Sequence, residues 1–151
     1  MKWFNYIWLI FIAAIMVPNV FFALKHKEGF KNYYKNRIVE ILEQIGRSGC
    51  FIFMIINIPS LTMGYLFNWA RLAYIIFGSG CVLIYVLGWI IFWKKSSVTK
   101  SLLSVVPSIL FLCCGIFILN IPLVVSAATF APCHIYISYK NAVDKDEEKA
   151  I

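Results

Sequence analysis

The sequence predicts an all-α fold, a polytopic bundle of five transmembrane helices, and three observations carry that prediction. Of its 151 residues, 62% are hydrophobic and only 14% charged, where soluble domains carry about a quarter charged residues. Five apolar runs meet or approach the roughly 20 residues that a helix needs to cross a hydrocarbon core about 30 Å thick. The stretches between them are short and mostly basic. This composition excludes an attached soluble catalytic domain, a disulfide-stapled secreted fold and a disordered chain. Residues 1–139 are expected to form a single transmembrane domain, and 140–151 a mobile cytoplasmic tail.

The first span covers 3–24 and ends at Lys25. It reads as a retained span rather than a signal peptide, because its basic n-region is Lys2 alone and no A-x-A site follows the apolar run. The second covers 38–59, with polar residues in its first half. The third covers 70–93 and has one charge, Arg71, at its start. The fourth and fifth, 102–119 and 122–139, are separated only by Asn120 and Ile121, as in a tight helical hairpin.

The net charge of +7 is a topology signal. Eleven of the fourteen Lys and Arg residues fall in the loop after span one, the loop after span three and the C-terminal stretch. The positive-inside rule then places the N-terminus outside and the C-terminus in the cytoplasm of a multi-pass protein of the cell membrane. Five spans require that same parity. Trp3, Trp8, Trp69, Trp89 and Trp93 lie near span ends, where interfacial anchors belong. Membrane lipid is therefore an expected partner. Nucleic acid is not, since no basic-aromatic platform stands outside the spans.

Conventional catalytic chemistry is sparse. Cys50, Cys81, Cys113, Cys114 and Cys133 all fall inside spans, without a C-x-x-C pair, and read as small buried hydrophobes. P-loop, G-x-G-x-x-G, G-x-S-x-G and H-E-x-x-H motifs do not occur. With only His26 and His134 available, neither a metal site nor a cofactor is expected.

The informative segment is residues 36–47, Asn-Arg-Ile-Val-Glu-Ile-Leu-Glu-Gln-Ile-Gly-Arg. At about 100° per residue, Glu40, Glu43, Gln44 and Arg47 share an arc roughly 100° wide. Glu43 and Arg47 stand in the i, i+4 order that favours an ion pair. Two placements are open: an interfacial helix floating its polar face on the inner leaflet, or the cytoplasmic half of span two with that face turned into the bundle. Depth favours the second. Asn19 and His134 each lie six residues from a boundary lysine, about 9 Å inside at 1.5 Å per residue, and Arg47 lies at about that depth or deeper. Asn19, Glu40, Glu43, Gln44, Arg47 and His134 are thus the candidate ligand-binding residues of a polar cavity open to the cytoplasm. Pro18, Pro107 and Pro132 would kink the helices around it, and Tyr85 and Ser108 would face the same level. Gly46 and Gly49, on another arc, would admit a close neighbouring helix.

Cys50-x4-Ile55-Ile56-Asn57-Ile58-Pro59 recurs as Cys113-x4-Ile118-Leu119-Asn120-Ile121-Pro122, each at the outer end of a span. An Asn before Ile-Pro stops a helix. A duplicated hairpin and chance similarity both account for this.

The 36–47 run and His134-Ile135-Tyr136-Ile137-Ser138-Tyr139 resemble those of small five-span bacterial membrane proteins to which no activity attaches. Tryptophan-rich sensory proteins also have five spans, but their Trp-Pro-Pro motifs are missing here. Membrane-associated glutathione-transferase-like enzymes have four spans and an Arg/Asn/Glu face that Asn36, Glu40 and Arg47 echo loosely. The expected role is binding or transport of a small or amphiphilic molecule. Arg47 would hold an anionic group, with Glu43 and His134 exchanging protons. An intramembrane enzyme acting on a lipid or thiol substrate is the second class. A non-catalytic membrane partner or immunity-type subunit is the third, and a homo-oligomer is open under any of them.

Overall fold

Five of six α-helices close into a ring in the computed structural model, which describes residues 3–25, 33–94 and 97–148. Lys2, His26, Lys27, Lys31, Lys95 and Lys149 lie outside the described residues. The helices are α1 (Tyr6–Lys25), α2 (Arg37–Ile55), α3 (Ala70–Phe92), the short α4 (Ser97–Ser101), α5 (Val105–Phe117) and α6 (Ile121–Glu148). A 3-10 turn, Leu102–Ser104, joins α4 to α5. Around the ring the neighbours are α2, α6, α5, α3 and α1, which closes back on α2.

Among the described residues, four stretches are long and apolar enough to cross a bilayer: Tyr6–Lys25, Ala70–Phe92, Ser97–Phe117 and Ile121–Glu147. The fourth starts before the expected residue 102, because α4 and the 3-10 turn continue into α5. Helix α5 itself begins at Val105 after the 3-10 turn, so Pro107 falls in its first turn, where a missing N–H costs little. Pro18 and Pro132 lie inside α1 and α6. The fifth helix, α2, carries Arg37, Glu40, Glu43 and Arg47 within its 19 residues, and by composition it stands apart from those four. It nonetheless runs end to end along α6.

One end of the bundle is stitched by backbone pairing. Helix α2 stops at Ile55, short of the expected 59, because Ile56 turns extended and bridges to Phe4. A helix C-terminus leaves its last carbonyls without partners, and here neighbours supply them. Asn5 N–H donates to Ile55 O at 2.9 Å, Ile56 N–H to Ile52 O at 2.8 Å, and Asn120 Nδ2 to Phe53 O at 2.8 Å. The α5–α6 hairpin turns through Leu119, at φ 46°, with Asn120 N–H donating to Gly115 O and Leu119 N–H to Ile116 O. That pair of bonds is the Schellman closure. Asn120 Oδ1 then caps α6 by accepting from Leu123 N–H at 3.1 Å. The connection from α2 to α3 lies over this turn, with Met63 N–H donating to Leu119 O and Leu66 N–H to Phe117 O.

The two Asn-Ile-Pro copies do occupy the same end, and both asparagines are buried. Their backbones differ, extended after α2 and left-handed after α5. Asn120→Ala is expected to cost about 2 kcal/mol, since it removes a cap worth about 1 kcal/mol and strips the Phe53 carbonyl of its donor. Thermal unfolding in maltoside micelles checks this, and an unchanged midpoint would refute it.

The other end gathers Lys25, Lys35, Arg37, Lys94, Lys100, Lys140 and Lys145, while Arg71 stands alone among described basic residues at the stitched end. Residues 140–148 are helical, so the expected tail boundary at 140 falls inside α6. Docking explains the continuation. Asn141 Oδ1 accepts from the Tyr33 and Tyr34 N–H groups at 2.9 and 2.8 Å, and Asp146 accepts from those of Ser97 and Val98 at 3.3 Å each. At about 1.5 Å per residue, a helix of 28 residues spans about 42 Å and outruns the hydrocarbon core.

The tryptophans divide. Trp3 and Trp69 are exposed at the stitched end, as anchors should be, but Trp8 and Trp89 are buried in the core. Trp8 stacks on Tyr74 with ring centroids 4.8 Å apart. Trp89 packs on Phe22 at 4.9 Å.

Candidate polar site on the α2–α6 seam

Helix α2 meets α6 in antiparallel register through its small residues. A Cβ on Gly46 would lie 2.8 Å from Phe130 N, and one on Gly49 would strike the Ser126 hydroxyl. Two turns of bare backbone on α2 thus let α6 come within contact of the main chain, the small-residue packing that helices use where water provides no driving force. One turn nearer the basic end, the same register sets Glu43 against His134.

Glu43 is buried, 7% exposed, on the face that also buries Gly46, Cys50 and Met54. Its Oε1 is 3.0 Å from His134 Nδ1 and its Oε2 is 3.5 Å from Arg47 Nη2. The His134 ring stacks on Phe130, 4.5 Å between centroids and 22° between planes, which fixes its orientation. Side chains on a helix lean toward its N-terminus, so Arg47 reaches back toward Glu43 and the basic end. A buried carboxylate needs a compensating charge or donors, and Glu43 has both, one from its own helix and one from α6. With Glu43 ionised, His134 Nδ1–H donates to it, which fixes the tautomer. The flanking groups are accessible: the Arg47 side chain is 45% exposed and that of His134 25%.

The structure thus brings together three of the six candidate residues. Gln44 is exposed on α2, and Glu40 is half-buried in its first turn, behind the Asn36 cap whose Oδ1 accepts from the Ile38 and Val39 N–H groups. Asn19 belongs to another seam, where its Oδ1 accepts from the Tyr85 hydroxyl at 2.8 Å between α1 and α3. Ser108, expected at the same level, donates to its own helix turn at Ser104 O. Two shallow depressions of about 180 and 200 Å³ lie at the stitched end, around Met63, Leu119 and Val125 and around Asn57, Thr62 and Gly64. Neither touches Glu43.

Phe130 and Ser126, which shape the seam, carried no signal in the sequence beyond apolar or small character. All five cysteines are unpaired thiols. No three His, Cys, Asp or Glu side chains gather as metal ligands would among the described residues.

Four helices among the described residues are long and apolar enough to cross a bilayer, which makes this a small multi-pass α-helical membrane protein, and its polar seam lies between one of them, α6, and α2. No family model, curated protein or solved structure matches the chain.

Proposed function

We propose that α2 is a fifth span, that the N-terminus is outside and the basic end in the cytoplasm of a cell-membrane protein, and that Glu43, Arg47 and His134 bind or move a small or amphiphilic molecule. Two features support the fifth span. At 19 residues and about 1.5 Å each, α2 is about 28 Å long, close to the hydrocarbon thickness. Its outward face also carries Ile38, Ile41, Leu42, Ile45 and Ile52, all exposed, a surface suited to lipid rather than to water.

The observation that carries the binding role is Glu43. A carboxylate buried between two helices is costly, yet here it holds an arginine only loosely, at 3.5 Å, and leaves that guanidinium half exposed. Arg47 then retains donors for an anionic headgroup, which its planar fork grips better than an ammonium would. Glu43 balances its charge when no ligand is present. His134, fixed by Glu43 at Nδ1, presents its other ring nitrogen for proton exchange. Glu40 extends the same polar flank toward the basic end.

The test is thermal unfolding in maltoside micelles with dodecyl phosphate as an anionic probe and dodecyltrimethylammonium as its cationic counterpart. The phosphate is expected to raise the midpoint with concentration, as a ligand of the native state does, and the ammonium is not. Arg47→Gln should abolish the rise. Equal shifts for both probes, or a rise that survives Arg47→Gln, would overturn the proposal.

A further inference from the structure

Away from the helix ends, the exposed positions of α1, α3, α5 and α6 are filled by apolar side chains such as Val17, Val20, Leu83, Leu87 and Ile109. Helix α2 departs from this pattern. Gln44, Arg47 and Ser48 are all exposed, and the structure gives Gln44 and Ser48 no hydrogen-bond partner. At about 1.5 Å per residue, Gln44 lies about 10 Å and Ser48 about 16 Å in from Arg37. Lipid tails offer neither side chain a partner, so an amide at that depth is satisfied by another protein group or by water drawn into the bilayer.

The exposed stripe has a regular geometry. Ile41, Gln44, Ser48 and Ile52 are all exposed and recur at spacings of three, four and four residues, which keeps them on one face of α2. Ile41 and Ile52 are 46% and 51% exposed, so the stripe is uncovered along most of its length.

We propose that this stripe is the contact face for a second copy of the chain, with Gln44 of one copy hydrogen-bonded to Gln44 of the other. Self-complementarity is the argument for a second copy over a foreign helix. Two copies in one membrane share an orientation, and a two-fold axis along the membrane normal sets every residue opposite its own equivalent. A carboxamide both donates and accepts, so two glutamines at one level satisfy each other, as do two serine hydroxyls one turn deeper. The flanking isoleucines supply apolar packing on either side of that pair. A stripe carrying one sign of charge would repel its own copy; this one places neutral, self-pairing groups at its centre and keeps Arg47 to the edge, beside Glu43.

The inference rests on α2 being a membrane span, and the experiment separates the two ideas. Full-length Ser48→Cys and Leu87→Cys chains in membrane vesicles are oxidised with copper phenanthroline, with the wild-type chain as background for its five native thiols. Parallel samples receive a membrane-impermeant maleimide. Ser48→Cys is expected to resist the maleimide and to give a band of two chains several-fold above background, while Leu87→Cys, on the outward face of α3, stays at background. Gln44→Leu should weaken self-association about three- to tenfold in energy-transfer dilution, the range that interhelical hydrogen bonds command. Labelling of Ser48→Cys by the maleimide would overturn both ideas. Protection without a band, an equal band from Leu87→Cys, a band with the mass of a different partner, or no effect of Gln44→Leu would overturn the dimer and leave the fifth span standing.

Discussion

Glu43→Ala is expected to cost about 2–3 kcal/mol and to lower the unfolding midpoint in maltoside by roughly 5–10 °C, since 1 kcal/mol moves a chain of this size by about 2–4 °C. Removing one partner of a buried polar pair leaves the other behind. His134 would keep a ring nitrogen at the seam without its acceptor, and Arg47 would keep its charge without Glu43 Oε2. The ion pair itself is the smaller part, because Arg47 is half exposed and such pairs contribute about 0–1 kcal/mol. The larger part is the lost bond to His134 and the gap left where a buried side chain filled the seam. Glu43→Gln should retain most of the stability, because an amide oxygen still accepts from Nδ1–H. The cycle Glu43→Ala with His134→Ala should show about 1–2 kcal/mol of coupling, as contacting residues do. Glu147→Ala, exposed near the end of α6, should move stability by less than about 0.5 kcal/mol. Additivity of the two seam variants would mean that the 3.0 Å contact does not link α2 to α6.

Length and hydropathy made the apolar helices legible, because lipid-facing and core-facing positions are both apolar in a span and composition alone reports them. The stop at Asn120 was legible for a local reason: an asparagine before Ile-Pro both closes one helix and caps the next, and it does so here through Leu123 N–H. Helix α2 was ambiguous because an amphipathic pattern describes an interfacial helix and an inward-turned span equally well. What separates the two is the register against α6, a relation between residues some 90 positions apart that no local pattern encodes. That register splits the polar arc. Glu43 is buried, Arg47 lies at the rim and Gln44 faces outward, although all three share roughly 100° of helix by sequence. Asn19 and His134 were matched in depth, but depth along a helix says nothing about azimuth, and Asn19 points into the α1–α3 seam toward Tyr85. Trp8 and Trp89 show the same limit, since position near a span end cannot tell an anchor from a ring stacked in the core. The helical continuation of α6 past residue 140 had no sequence signal, because mixed charge resembles a solvated tail. Asn141 and Asp146 spend their acceptors on the backbone N–H groups of the neighbouring segments, and that docking holds the helix together.

Gly46→Ala is expected to separate α2 from α6 and to cost about 2–3 kcal/mol net, the upper part of the range for overpacking. The sign is informative, because in a helix alanine is otherwise better than glycine by about 1 kcal/mol. What opposes that gain is backbone: the new methyl would sit 2.8 Å from Phe130 N and 2.9 Å from Phe130 Cα, atoms that no rotamer can move aside. Gly49 provides the contrast. There the obstruction is the Ser126 side chain, so Gly49→Ala paired with Ser126→Gly should recover most of the lost stability, whereas no side-chain change at residue 130 should rescue Gly46→Ala. The seam also sets the site, because His134 lies one turn beyond Phe130 on the helix that would be pushed away. Gly46→Ala should therefore also reduce the midpoint rise produced by dodecyl phosphate, even though residue 46 contributes no polar atom of its own to a ligand. A stable Gly46→Ala chain with the full phosphate response would mean that the helices stand further apart than this register requires, and that Glu43 and His134 meet by side-chain reach rather than by close approach of the two backbones.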